Sequence, residues 1–339
     1  MSTSNATRIE HSRAVLVLGM HRSGTSVLSR ALISLGVDFG TSLIAARPDN
    51  PRGFFEDKDI YALNQSFLRS MRCQWHSLIL PKSYPLEAEI TFRKQAARLI
   101  VEKFTGLSLW GLKDPRITRL LPYWEKVFSD MHINRHYILA NRNPLEVANS
   151  LAKRNDMPTA HALALWALHQ IDGLQAVINN GGMIVDYELM MTQPSIELRR
   201  LAEFLGQELE SANKEIFLND FLEQNLRHPY TGEIPYSGSP LIDACLSFNN
   251  TLLKLAQSAT SLGHEEISEA EVALARAQRS IALHTDWFHA IDDIYLKVED
   301  LRLRLQESNA TIQSLQSDLA WLERKPLVKI ARKLRDLLS

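Results

Sequence analysis

The apolar positions of this chain alternate between two rhythms. Ala14-Val-Leu-Val-Leu-Gly-Met20 is a short continuous apolar run, partly β-branched and closed by a turn signal, which predicts a strand buried on both faces. In Thr25–Leu35 the apolar residues stand at 27, 28, 31, 32 and 35, the spacing of a helix, with Gly36 as its stop. Residues 47–57 form a Pro-, Gly- and Asn-rich loop that leads into a helical stretch over 57–71, and a mixed helix follows over 87–104. Leu107–Lys113 reads as a second buried strand stopped by Asp114-Pro115. Asn134–Ala140 reads as a third, followed by Asn141-Arg-Asn-Pro144 and a helix over Leu145–Lys153, where Pro144 suits the first turn. A long apolar helix covers Ala160–Asn179, Gly181–Tyr187 is a turn with a fourth strand, and Pro194–Leu205 is a helix ended by Gly206. Strands alternating with helices predict an α/β fold, a three-layer parallel sheet flanked by helices. It is expected over 14–262, behind a disordered polar leader at 1–13.

From Glu265 onward the pattern changes to a heptad. With d at Ile294, Leu301, Ser308, Leu315 and Leu322, the a positions are Val298, Leu305, Ile312 and Leu319, and eight of these nine are apolar. This predicts a helical, coiled-coil segment over 265–323 and a homo-oligomer formed through it. One long helix packed back on its own domain fits the same stripe. Over 324–339, Leu327, Ile330, Leu334 and Leu337 share one face and Lys329, Arg332, Lys333 and Arg335 the other. Such a basic amphipathic tail can lie on an anionic membrane surface.

Composition narrows the classes. A length of 339 residues allows roughly two domains. The 38 Lys+Arg and 39 Asp+Glu nearly cancel, which argues against a nucleic-acid binder, and 45% hydrophobic with 23% charged residues argues against wholesale disorder. Two cysteines without a CxxC give neither a disulfide framework nor a Cys-ligated zinc site. No apolar run reaches membrane-spanning length, so a soluble, cytoplasmic protein is expected. The eleven histidines are scattered without metal-ligand spacing, and no metal is expected.

The chemistry concentrates in Gly19-Met-His-Arg-Ser-Gly-Thr-Ser26. It keeps the GxxxxG spacing of a phosphate-binding P-loop between a buried strand and a helix, where backbone N–H groups and the helix dipole converge on an anion. Thr25 stands where a nucleotide-triphosphate enzyme carries lysine. Arg22 brings positive charge instead, as a planar fork of donors.

At this point the chain resembles the sulfotransferases that use 3′-phosphoadenosine 5′-phosphosulfate (PAPS), particularly their bacterial branch, with a P-loop-like fold. The resemblance rests on three motifs in order. The first is Arg22-Ser23-Gly24-Thr25-Ser26, which in the family holds the 5′-phosphosulfate. The second is Arg142 with Ser150 eight residues on, which grips the 3′-phosphate. The third is Val185-Asp-Tyr-Glu-Leu189 with Glu203-Phe-Leu-Gly206. It covers roughly residues 14–230 and leaves the heptad segment outside.

The resemblance implies PAPS as co-substrate, no metal, and an acceptor hydroxyl or amine, with a saccharide suggested by bacterial relatives. Arg22 is the candidate for stabilising the transferring sulfuryl group. Many relatives carry lysine there, and an arginine acts as an electrostatic clamp and not as a proton donor. Glu56, in Gly53-Phe-Phe-Glu-Asp57, stands where several relatives keep a catalytic glutamate, and its phenylalanine neighbours can raise its pKa. A glutamate at a helix start is the competing reading, and Asp57 and Asp59 are weaker candidates. Lys113 or Arg116, in Lys113-Asp-Pro-Arg116, can orient the acceptor or the sulfuryl oxygens, unless Asp114 and Arg116 form a structural pair. Arg227 and His228 are candidates to close over the adenosine. The alternatives are a P-loop nucleotide kinase or nucleotide-binding module, against which Thr25 counts, and a scaffold carried by its helical tail.

Overall fold

A computed structural model describes residues 12–47, 50, 53–81, 84–210, 215–218, 238–258, 260–326, 330, 331 and 334. Four parallel strands form one sheet: β1 (Arg13–Leu18), β2 (Leu109–Lys113), β3 (Asn134–Asn141) and β4 (Met183–Asp186), in the order β2-β1-β3-β4. β1 is central and Ala14–Leu18 are wholly buried, because neighbouring strands satisfy both backbone edges and helices cover both faces. The α/β class expected from the periodicity is the class observed.

The helices follow in chain order: α1 (Thr25–Ser34), α2 (Lys58–Ser70), α3 (Leu86–Phe104), α4 (Pro115–Asp130), α5 (Pro144–Asn155), α6 (Thr159–Asn180), α7 (Tyr187–Thr192), α8 (Pro194–Leu205), α9 (Pro240–Ser258), α10 (His264–Ala282) and α11 (Thr285–Glu323). The dipeptide Asp114-Pro115 that closes β2 also opens α4. Asp114 accepts a hydrogen bond from the Arg116 N–H and Pro115 occupies the first helical turn, so a pair read only as a stop is a start as well. Asn143 and Pro144 do the same for α5, and Asp186 caps α7.

The chain divides into two compact units, Met1–Thr285 and Asp286–Ser339. The helical segment expected from 265 therefore splits. Ala270, Leu274, Ala277 and Ile281 recur at helical spacing and are buried, which makes α10 part of the first unit, against α6 and α9. In the second unit the described apolar residues of the heptad, from Ile294 to Leu322, are exposed. Most of the basic tail lies outside the described residues. Among those described, no helix is long and apolar enough to cross a membrane. Cys73 and Cys245 are free thiols, both buried.

Candidate functional site

All four strands deliver their carboxyl ends to one rim, and each end carries a candidate residue. After β1 comes the Gly19–Gly24 loop; β2 ends in Lys113, β3 leads to Arg142, and β4 leads to Tyr187. β1 and β3 lie side by side although β2 separates them in the chain, so the connections leave in opposite directions and open a crevice there. The rim borders an open cleft of about 970 Å³.

The loop is built by close backbone approaches. Gly19 has φ +130°, and a Cβ there would stand 2.7 Å from the Ala140 carbonyl oxygen of β3. Its N–H donates to Thr118 Oγ1 at 2.9 Å. Gly24 precedes α1 at φ +86°, and a Cβ there would meet the Tyr187 ring at 2.6 Å. Between them Arg22 holds φ 70°, a left-handed conformation that costs a non-glycine residue on the order of 1–2 kcal/mol.

No side-chain hydrogen bond caps α1, and its first residues Thr25 and Ser26 line the cleft, so the positive end of the helix dipole lies at the cleft. Ser23 Oγ is buried without a hydrogen-bond partner. Thr25 is buried in the first turn, and Ser26 Oγ accepts from Asn50 Nδ2 at 3.3 Å. The loop brings Arg22 and the N-terminus of α1, with Gly24, Thr25 and Ser26, to the cleft, while Ser23 is buried behind it.

The structure joins the two motifs that the sequence placed far apart. Arg22 Nε donates to Ser150 Oγ at 2.8 Å, and Arg142 NH1 donates to the Arg22 carbonyl at 3.2 Å. The Arg142 guanidinium lies 4.2 Å from the centre of the Tyr187 ring, and its Nε donates to Glu146 Oε2 at 2.8 Å. Its carbonyl accepts from the Trp166 indole at 3.0 Å, and the preceding Asn141 amide bonds Asp186 and Asn249. Arg142 is thus held from both ends, with a planar cation stacked on an aromatic face.

Across the cleft sits a buried ion pair. Lys113 Nζ donates to Glu56 Oε1 at 2.7 Å and to the Phe54 carbonyl at 2.9 Å. Arg116 stands 4.0 Å from Glu56 Oε2 and donates to Asp114 Oδ1 at 2.8 Å, with its guanidinium over Tyr61. The structural Asp114–Arg116 pair therefore exists, and Arg116 faces Glu56 as well. Burial raises the Glu56 pKa above the usual carboxylate range, against the lowering effect of Lys113. Asp57, not Glu56, caps α2, and both Asp57 and Asp59 pair with Lys103. Glu56 lines the cleft, and neither aspartate does. Phe55 has φ 56°, which turns the backbone immediately before Glu56.

One cleft residue was passed over in the sequence. His21 packs on Trp75 with ring centres 4.6 Å apart, and its buried Nδ1 has no hydrogen-bond partner. Burial, then the charges of Arg116 and Arg154, hold its pKa well below the usual imidazole value, so it is neutral at pH 7. A lone histidine carries no spacing signal; its position inside the loop was the available clue. Arg227 and His228 lie outside the described residues. Among the described residues no group of three or more His, Cys, Asp or Glu side chains could hold a metal ion.

A family model described as the sulfotransferase family matches residues 14–211. Among solved structures, the chain is similar to a sulfotransferase domain from the Synechococcus PCC 7002 olefin synthase, at 17% identity and a TM-score of 0.44. That match covers 70% of this chain and 94% of the other. No curated protein matches the chain.

Proposed function

Because the chain belongs to the sulfotransferase family, we propose that it transfers a sulfuryl group from PAPS to a hydroxyl or amine, with a saccharide as the acceptor class. The observation that carries this reading is the contact between the two anion-binding clusters, Arg22 on Ser150 and Arg142 on the Arg22 carbonyl. A donor with phosphate at both ends of a nucleoside needs two such clusters in one groove.

The residues present fit that donor. The uncapped first turn of α1, where Gly24, Thr25 and Ser26 line the cleft, suits the 5′ anionic group, and Arg142 with Ser150 suits the 3′-phosphate. PAPS supplies the activated sulfuryl group when bound; the chain supplies position, charge and a base. Arg22 remains protonated throughout and stabilises negative charge developing on the departing oxygen. Glu56 accepts the proton of the acceptor hydroxyl. Lys113 holds Oε1 of that carboxylate and opposes the rise in its pKa that burial causes. Gly24 lets the backbone approach the anion, and Thr25 and Ser26 add hydroxyls at its edge. Trp75 and Tyr61 line the same cleft with the amides of Gln65 and Gln74, a mixed aromatic and polar surface that suits a polyhydroxylated ring.

Thermal unfolding tests the donor. Adenosine 3′,5′-bisphosphate at a hundred times its Kd should stabilise the fold by about 2.7 kcal/mol, and ATP–Mg²⁺ should not. Arg142→Ala should abolish the response with the circular dichroism unchanged. Stabilisation by ATP–Mg²⁺ alone would transfer the case to a nucleotide kinase. Labelled donor offered to glycan, lipid and phenol acceptors then identifies the acceptor class.

A further inference from the structure

The second unit carries a seam with no cover among the described residues. α11 runs for 39 residues, about 58 Å at 1.5 Å per residue. Its a and d residues are exposed from Ile294 at 55% through Leu301 at 62% and Leu315 at 62% to Leu322 at 46%. A helix this long with one apolar stripe gains its stability from a partner helix.

We infer that a second copy of this chain covers the seam, and that the two α11 helices run antiparallel. The charges flanking the seam select the direction. In a parallel, in-register pair each g residue faces the e residue of the next heptad on the other copy. That places Lys297 against the second copy's Arg302, and Asp318 against position 323, a glutamate; both contacts repel, and each occurs twice. In the antiparallel pair, a residues pack across from d residues of the other copy and g faces g. Val298 then lies opposite Leu315, Leu301 opposite Ile312, Leu305 opposite Ser308, and Ile294 opposite Leu319. The same register sets Lys297 against Asp318, twice, and Arg302 against the neutral Asn309. Arg304 meets Thr311 and is already neutralised on its own helix by Asp300 at 2.9 Å. One direction offers two attractive contacts and the other four repulsive ones.

Ser308 agrees with this arrangement. A parallel pair would put the two Ser308 residues in one weak central layer, whereas the antiparallel pair places each against Leu305 and leaves no layer without an apolar member.

The full-length chain tests both halves of the inference. Sedimentation should show a dimer at micromolar concentration. Lys297→Glu sets a glutamate against Asp318 and should weaken the dimer by roughly tenfold, since two attractive contacts become repulsive. Adding Asp318→Lys should restore it. In a parallel dimer Lys297→Glu faces Arg302 and would tighten association, the opposite sign. Spin labels on Ser317→Cys, specific because Cys73 and Cys245 are buried, should lie 30 Å or more apart, whereas parallel helices hold them within about 20 Å. A monomer, tightening by Lys297→Glu, or the short distance each overturns the inference. None of these readouts depends on the donor or the acceptor.

Discussion

Arg22 Nε and Ser150 Oγ are 2.8 Å apart, joined across 128 residues of chain. The bond ties the loop after β1 to α5, which follows β3, and so fixes the spacing between the two ends of the crevice. Arg142 closes the same triangle through the Arg22 carbonyl. A ligand held at one cluster therefore meets the other already placed, and little ordering cost remains.

Glu146 competes for the second cluster. Its carboxylate accepts from Arg142 Nε at 2.8 Å in an i,i+4 pair that is mostly shielded from water. A phosphate approaching Arg142 meets that negative charge as well. Glu146→Gln should tighten adenosine 3′,5′-bisphosphate binding two- to fivefold, the equivalent of about 0.5–1 kcal/mol. Titration calorimetry reads this directly, and weaker binding would show that the carboxylate aims Arg142 more than it occupies it.

Gly24 has no tolerable substitute. Its φ of +86° alone costs alanine about 1–2 kcal/mol, and the added Cβ would stand 2.6 Å from the Tyr187 ring on which Arg142 is stacked. Gly24→Ala should lower the melting temperature and also weaken bisphosphate binding, because Tyr187 must shift and carry Arg142 with it. Destabilisation with full affinity would separate the loop from the second cluster.

The turn after β1 is legible because Gly19 and Gly24 announce its left-handed backbone geometry by residue type. Arg142 and Ser150 are marked by the family resemblance, since an arginine and a serine after a strand-to-helix turn are a weak signal by themselves. The Lys113–Glu56 pair was not, since nothing local in either segment encodes a contact over 57 residues; each residue was a candidate on its own. α4 is hidden in the sequence because Asp114-Pro115 marks the end of a strand as well as the start of a helix. His21 escaped because an isolated imidazole has no periodic partner to mark it. The boundary of the first unit moved to Thr285 because four small or aliphatic residues of α10 found a face on α6 and α9, a matter of tertiary packing.

The carboxylate of Glu56 works as a base only when deprotonated. Burial raises its pKa, and Lys113 and Arg116 oppose that rise. Lys113→Met removes a positive neighbour, so the pKa climbs further and the acid limb of the pH–rate profile should move to higher pH. Glu56→Gln should keep bisphosphate binding and cut turnover by 10²-fold or more. If Glu56→Gln leaves turnover intact, the neutral imidazole of His21 on the same cleft is the next base to remove.

Acid stability depends on a residue away from the chemistry. His169 is wholly buried, donates from Nδ1 to the Leu165 carbonyl at 2.7 Å, and leaves Nε2 without a partner. Burial, with Arg119 adding to it, pushes its pKa down to about 3, whereas an unfolded chain protonates histidine near 6.5. The folded-state value is the lower one, so its contribution is complete above pH 6.5 and is lost as the pH falls toward 3. The loss approaches 1.4 kcal/mol per pH unit, or about 2 kcal/mol between pH 7 and 5. His169→Gln preserves much of the volume and one donor for Leu165, and it cannot take up the proton. Chemical unfolding at pH 7 and pH 5 should therefore show a smaller difference in the variant than in the natural chain. Equal differences would mean that the imidazole of the natural chain reaches solvent before the fold opens.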